Sequence, residues 1–574
     1  MKPSPITDVD AGGDAVGAGR EPAAPAVRLA VSLLVFVAAL FAYGVLWLAC
    51  GRAIAGWLWL PALATGAAVS AWAARPATRS QALRETARAA TLLVACTCAA
   101  LLFGTAFFDV SWDGQVYHQQ AVLALAEGWN PLRDPPLPVE LRADNIWINH
   151  YPKAAWIAQA ILLRATGSLE ATKGLQLLPL ASAALLVFAA LRARGARAAT
   201  AVVLSALIAG NPVALAQVFS FYNDGMGASL MTAMLALAWH WRRRCDPWLL
   251  LALAACIVVM VNLKFTGLVY GVLLSAGLTL YVRRRGVAVD RSAHFRWFVA
   301  AIAGAFAIAT LVVGFDPYVS NLLRKGHPFY PLMGQGAVDI ITIQLAPAFH
   351  TLARPTRFLV GLFARADEHN VAPMLKWPFA LGASELRAIG YPDVRIGGFG
   401  PLFGLAVLLA AAIGLLRRRL GVVVPAKAWA LAALLVGIAF CNPALWWARY
   451  VPHLWLLPVG LLALALLSPR LGRAGRAAAL AFGALLAIDI ALVAVVATVA
   501  SAGASRAVGQ QLDRLDRAGG PLTVRWDGFE AVRARLRTRA IAFAEVDRLP
   551  CASPEQLLAS RARVCPPVPR GGGR

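Results

Sequence analysis

Residues 107–153 read FFDVSWDGQVYHQQAVLALAEGWNPLRDPPLPVELRADNIWINHYPK, a polar, acidic and aromatic stretch in a chain that is otherwise nearly all apolar. One apolar run ends just before it and another opens near residue 171. Irregular backbone cannot face hydrocarbon, so a stretch of this kind belongs outside the bilayer. A protein that holds Asp109, Asp113, His118, His150 and Lys153 just outside its first spans is equipped for chemistry at a membrane surface.

The rest of the chain sets the fold class. Of 574 residues, 59% are hydrophobic and 14% charged, against about 25% charge in soluble domains. Apolar runs of about 20 residues recur along the whole length, which is the pattern of spanning helices. The expectation is an all-α polytopic membrane protein with about 13 transmembrane helices between residues 27 and 500. No cleavage-type pattern precedes the first run, so residues 1–26 are expected to be a retained cytoplasmic segment.

The net charge of +25 has a topological reading. Basic residues collect in short loops, as in Arg242–Arg244, Arg283–Arg285 and Arg417–Arg419, where the positive-inside rule expects them. No basic stripe interleaved with aromatics occurs in a soluble stretch, which argues against nucleic acid. With the N-terminus cytoplasmic, all the arginine loops fall on one side. The other side then receives residues 109–170, residues 316–400 and a tail over 501–574. The apolar segment 151–166 is too short to cross without inverting every later loop, so it is expected to lie along the membrane surface.

Two residue types carry further information. Cys551 and Cys565 are the cysteines of the tail, and an exported pair at that spacing is a candidate disulfide. The other six fall in or beside apolar runs and read as small packing residues. Only seven of the 54 basic residues are lysine, and Lys153, Lys173, Lys264, Lys325 and Lys376 map to the exported side. The charge rule does not explain them. Interfacial anchoring by snorkelling stems is one account, and phosphate binding is the other. Among the acids, Asp109 and Asp113 lie four residues apart at a helix exit, where Asp109 reads equally well as a solvated end. Gly114 behind Asp113 permits a close approach. Asp224, in FSFYNDGMGAS, is either a turn residue or a second carboxylate facing Asp113.

The order of motifs carries a resemblance. It runs Asp113…Tyr117, Gly128-Trp129-Asn130-Pro131, His150-Tyr151-Pro152-Lys153…Trp156, Tyr222-Asn223-Asp224, Leu263-Lys264-Phe265-Thr266-Gly267, Lys325-Gly326-His327-Pro328-Phe329-Tyr330-Pro331 and Arg449-Tyr450-Val451-Pro452. Over residues 100–460 the chain resembles the membrane glycosyltransferases of the GT-C fold, such as the protein O-mannosyltransferases and lipid A aminoarabinose transferases. Gly114 departs from them, since the family usually has Glu after the first Asp.

The resemblance implies a sugar donor linked to a polyprenyl phosphate and an envelope acceptor: a glycan, a lipid or a protein. It implies Asp113 as general base, with Asp224 orienting either the acceptor or that base. Tyr117, His118, His150, Lys153, Lys264, Arg324, His327, Arg449 and Tyr450 would form the substrate site, with cations on the phosphate. Direct displacement would invert the anomeric centre. No cofactor is expected, and no metal-ligand spacing occurs. Abundant Ala and Arg with scarce Lys suggests a GC-rich bacterial genome, so the expected place is the inner membrane, with the site facing the periplasm and undecaprenyl phosphate as carrier. The competing readings are a transporter or lipid flippase, for which Asp489 would be the intramembrane acid, and an assembly factor anchored by Trp129, Trp147, Trp446 and Trp447.

Overall fold

Among the described residues, seven helices are long and apolar enough to cross a membrane: Pro25–Ala49, Gly56–Ala74, Arg79–Thr105, Leu169–Ala193, Phe265–Arg283, Ser292–Val312 and Arg473–Ala518. The computed structural model describes residues 23–140, 142–283, 291–367, 374–526 and 528–565. The first 22 residues, Arg284 and Arg285 therefore lie outside the described residues. Helices also occupy the remaining segments expected to span, in less regular form. Ala198–Ala209, Pro247–Val261, Ala426–Phe440 and Pro452–Leu466 are apolar but shorter, while Asp224–Arg244 and Phe403–Leu420 end in three arginines each. The apolar stretch 198–217 is not one helix but breaks at Gly210-Asn211-Pro212. There the Asn211 side chain accepts from the Val213 amide at 3.0 Å and a new helix starts at Pro212.

Pro25–Ala49 is the central post. It packs against Trp59–Ala74, Leu177–Ala193, Pro247–Val261 and Ala154–Thr166. Ala154–Thr166 does not present one bare face: residues 154–162 are all buried. It is enclosed by Gln119–Glu127, Pro25–Ala49 and Gly56–Leu58. A Cβ on Gly44 would sit 2.3 Å from Ile157, so glycine lets Ala154–Thr166 and Pro25–Ala49 approach at that point.

The two ends of the bundle differ. Asp224–Arg244 begins at a carboxylate and finishes at Arg242–Arg244, about 30 Å away at 1.5 Å per residue. At the arginine end, Asp246 pairs with both Arg75 and Arg244. At the other end lie the loop after Arg79–Thr105, the Tyr222 turn, the Lys264 turn and the Arg449 turn.

Helix Arg473–Ala518 has 46 residues, about 69 Å, which is twice the hydrocarbon thickness of about 30 Å. Its last turns leave the bundle and bury Val508, Leu512 and Leu515 against a four-stranded sheet. The strands are β1 (Leu522–Arg525), β2 (Phe543–Glu545), β3 (Glu555–Gln556) and β4 (Arg563–Cys565), in the order β2-β1-β4-β3. β1 runs parallel to β2 and antiparallel to β4. The all-α expectation therefore needs correction for the tail, which is a small α/β unit. Strands of two to four residues are too short to print a period-2 pattern on the sequence. The Cys551–Cys565 disulfide is present, with S–S 2.02 Å.

The tail is docked rather than loose. Its core takes in Phe108, Val110 and Val116 of the first loop. Phe108 donates its amide to Ser505 Oγ at 2.8 Å. Arg535 is 4% exposed, and its Nη2 donates to the Asp109 carbonyl at 2.6 Å and to Gln115 Oε1 at 3.1 Å.

Candidate functional site

Asp113 stands just ahead of a single π turn, Gly114–His118, a distortion common where a side chain must be re-aimed. The loop beneath it is knotted around Asp109, which is 1% exposed. Asp109 Oδ1 accepts from the Ser111 amide and Oδ2 from the Phe221 amide, each at 2.8 Å. Burial first, and then the Glu170 charge, push the Asp109 carboxyl up to about 6. A Cβ on Gly114 would lie 2.1 Å from Asp109 Oδ2. A side chain at 114 would have to displace the Asp109 carboxylate or the Ser111 hydroxyl.

Arg449 joins the loop to the rest of the site. It lies in the turn Ala448–Tyr450, and its Nη1 and Nη2 donate to Asp113 Oδ2 at 3.1 and 3.2 Å. Nη1 also forms an ion pair with Asp393 Oδ1 at 3.2 Å. The guanidinium sits over Trp447, Tyr222 and Tyr450, 4.6–5.1 Å from the ring centroids. Burial holds the Asp393 carboxyl above the usual carboxylate range, with Arg449 opposing. Tyr222 ties the two acids together: its hydroxyl donates to Asp393 Oδ2 and accepts from the Asp113 amide, both at 3.4 Å. Tyr117 reaches Asp113 Oδ2 only at 3.5 Å.

A second pair completes the site. Lys264 Nζ lies 2.5 Å from Asp224 Oδ1, and Gln217 Nε2 donates to Asp224 Oδ2 at 3.2 Å. Lys264 Nζ is 4.9 Å from the Tyr450 ring, so Lys264 and Arg449 lie against the same ring. Asp224, Lys264, Tyr270, Arg449 and Tyr450 line a narrow cleft of about 40 Å³. Such a cleft offers two cations, three carboxylates nearby and a row of tyrosine rings.

The expected site residues divide into two groups. Asp224, Lys264, Arg449 and Tyr450 line the cleft, and Asp113 joins them through Arg449, with Tyr117 beside it. His118 lies just behind, with Nδ1 accepting from Trp156 Nε1 at 2.8 Å, and burial holds its imidazole down to about 3. The others do not line it. Lys153 is buried, ion-paired to Asp316 at 2.6 Å, and donates to the Asn149 and Tyr151 carbonyls. His150 bonds Asn321 at 2.7 Å. His327 accepts from the Phe329 amide, and Arg324 is exposed.

The lysine signal has a common structural answer. Lys153, Lys173, Lys264 and Lys376 each hold one carboxylate: Asp316, Glu170, Asp224 and Glu385. Only Lys264 does so at the cleft. Asp489 accepts from the Leu402 amide at 2.7 Å and so caps the start of Phe403–Leu420. Trp446 and Trp447 are buried; neither is an interfacial anchor.

Asp393 and Arg395 were missed by sequence reasoning. Their signal is Tyr391-Pro392-Asp393-Val394-Arg395, a carboxylate and a guanidinium two residues apart in a glycine-bounded loop. The fold and site together define a helical protein with membrane-spanning character and a charged cleft at one end of its bundle. Compared with protein-family models, curated proteins and solved structures, the chain matches none.

Proposed function

We propose that the chain is an integral membrane glycosyltransferase that moves a sugar from a polyprenyl-phosphate donor to an envelope acceptor, on the periplasmic side of a bacterial inner membrane. One observation carries this reading. Asp113 touches Arg449 at 3.1 Å, and Arg449 and Lys264 both lie against the Tyr450 ring, so a carboxylate and two cations converge from distant parts of the chain.

The chemistry follows from charge. An acceptor hydroxyl is a poor nucleophile, and a carboxylate within hydrogen-bond reach takes its proton as it attacks. Asp113, one-fifth exposed, serves as that base. The new bond forms at the anomeric carbon while the carbon–oxygen bond to phosphate breaks. The electron pair goes to the phosphate oxygen, where fixed cations stabilise it. Arg449 and Lys264 take that role, with Asp393 and Asp224 orienting them. Lys153, committed to Asp316, is left out of donor binding. A single displacement inverts the anomeric centre.

The test is mass spectrometry of lipid-linked sugars and envelope glycans in deletion cells carrying wild type or Asp113→Asn. The expected result is loss of one glycan sugar, with accumulation of its polyprenyl-phosphate donor, in both the deletion and the variant. Unchanged glycans in cells that express the wild-type protein would sink the reading.

A further inference from the structure

The second large loop carries an outward apolar strip that the transferase reading does not use. Across residues 374–381, Met374, Leu375, Trp377, Phe379 and Leu381 are each at least half exposed, with Trp377 at 74%. Trp377 and Phe379 stack on one another, centroids 6.3 Å apart and planes 18° from parallel. An exposed cluster of large apolar side chains in one short segment marks an interaction surface.

The lysine within the strip points the other way. Lys376 Nζ is ion-paired to Glu385 at 2.5 Å and donates to the Pro401 carbonyl at 2.6 Å and the Ala380 carbonyl at 3.2 Å. The backbone is pinned as well: Arg365 donates its amide to the Met374 carbonyl at 2.8 Å, and Lys376 its amide to the Phe363 carbonyl at 3.3 Å. The apolar side chains are therefore held outward and cannot fold in.

The height of the strip is fixed by its tethers. Pro401 lies two residues before helix Phe403–Leu420, whose far end carries Arg417–Arg419. Eighteen residues rise about 27 Å, close to the hydrocarbon thickness of about 30 Å. Arg354, on the helix Arg354–Phe363 beside the strip, donates to the Phe440 carbonyl at 2.7 Å, at the end of a second apolar helix, Ala426–Phe440. Two helix ends opposite the arginines thus set the level of the strip. That is the level of a membrane–water interface, where tryptophan rings are favoured.

We propose that residues 374–381 dip into the bilayer interface, with Trp377 and Phe379 among the acyl-chain ends, and so fasten the second loop to lipid beside the site. The occupant is bilayer lipid, and the inference stands apart from any transferase activity.

The experiment uses the full-length chain with the six cysteines outside the disulfide replaced by serine. Nitroxide is attached at Trp377→Cys or Phe379→Cys, and the protein is placed one copy per nanodisc of phosphatidylethanolamine and phosphatidylglycerol. Power saturation compares collisions with oxygen and with a water-soluble nickel chelate. At both sites oxygen collisions should exceed nickel collisions severalfold, and a label at Arg517→Cys in the tail should show the reverse. Nickel exceeding oxygen at 377 and 379 would place the strip in water and overturn the proposal. Protection from both reagents would mean that protein covers it, which overturns the proposal equally. Agreement between the two label sites guards against a local disturbance from either substitution.

Discussion

Arg449 and Asp393 form a buried ion pair of 3.2 Å, with the side chains 7% and 5% exposed. Nη1 is shared between Asp393 and Asp113, and Nη2 reaches Asp113 as well. Removing one partner of a buried pair leaves an uncompensated charge and costs about 3–5 kcal/mol. Arg449→Ala should therefore lower the unfolding midpoint in detergent as well as abolish transfer. Arg449→Lys keeps the charge but not the planar fork, so it should retain most of the stability and little of the activity. The check is differential scanning fluorimetry beside glycan mass spectrometry. If Arg449→Lys transfers at the wild-type rate, the fork geometry is irrelevant to the reaction.

Lys153 and Lys264 are expected to separate in the same assays. Lys153 is 1% exposed and its partner Asp316 is 8% exposed, so Lys153→Ala should cost stability by about 3 kcal/mol. Replacing both partners by apolar residues (Lys153→Met with Asp316→Leu) should recover part of that loss. Lys264→Ala leaves Asp224, its side chain 4% exposed, with its bond from Gln217 alone, so it should cost stability as well, and the two lysines separate in activity. The Lys264→Ala transfer rate should fall by about a hundredfold or more, the usual effect of deleting one group that stabilises developing charge. Equal stability losses with equal activity losses would mean that both lysines are structural.

The sequence exposed the helical class and several site residues because those signals are local. Apolar runs printed the spans, and Asp113, Asp224, Lys264 and Arg449 stood out as charges at the edges of such runs. Lys153 had the same appearance, yet its ammonium belongs to Asp316, 163 positions further on by residue number, and only packing reveals that. Gly114 was legible as a close approach, but what approaches is Asp109 rather than a ligand. Asp393 was not legible, because its importance comes from Arg449 and Tyr222, neither of them a neighbour in sequence.

Acid should weaken the fold through His118. Burial holds its imidazole down to about 3, with Asp113, Asp224, Lys264 and Arg449 as the charges around it. An unfolded histidine protonates near 6.5. Below that pH the unfolded chain binds the extra proton, so stability is lost as pH falls from 6.5 towards 3, at up to about 1.4 kcal/mol per pH unit. Asp109 acts in the opposite sense. Its folded carboxyl is raised to about 6, so its contribution is greatest below the ordinary carboxyl range and is lost as pH rises through 6. The comparison that isolates His118 is wild type against His118→Gln, which keeps an acceptor for Trp156. Between pH 7 and pH 5 the variant's unfolding midpoint should drop less than that of wild type. Identical drops would show that His118 is not held neutral.

Arg535 should govern the loop that carries Asp113. Its guanidinium is buried, gripping the Asp109 carbonyl and the Gln115 side chain on either side of Asp113. It also lies 3.8 Å from Glu170 and over the Phe108 ring. Hydrogen bonds from a charged donor contribute about 1.5–3 kcal/mol. Loss of that amount corresponds to about ten- to hundredfold faster local opening. Arg535→Ala should therefore speed amide exchange in residues 107–118 by that factor, and Arg535→Lys by less. Arg537 is the control: its pair with Glu127 also links the tail to the first loop, but both side chains are 56% exposed, and a solvated pair adds little. Arg537→Ala should leave exchange in 107–118 unchanged. If Arg535→Ala also leaves it unchanged while the tail stays folded, the tail caps the bundle without ordering the Asp113 loop. If exchange rises only in the Arg535 variants, the last 74 residues are part of what positions the candidate base.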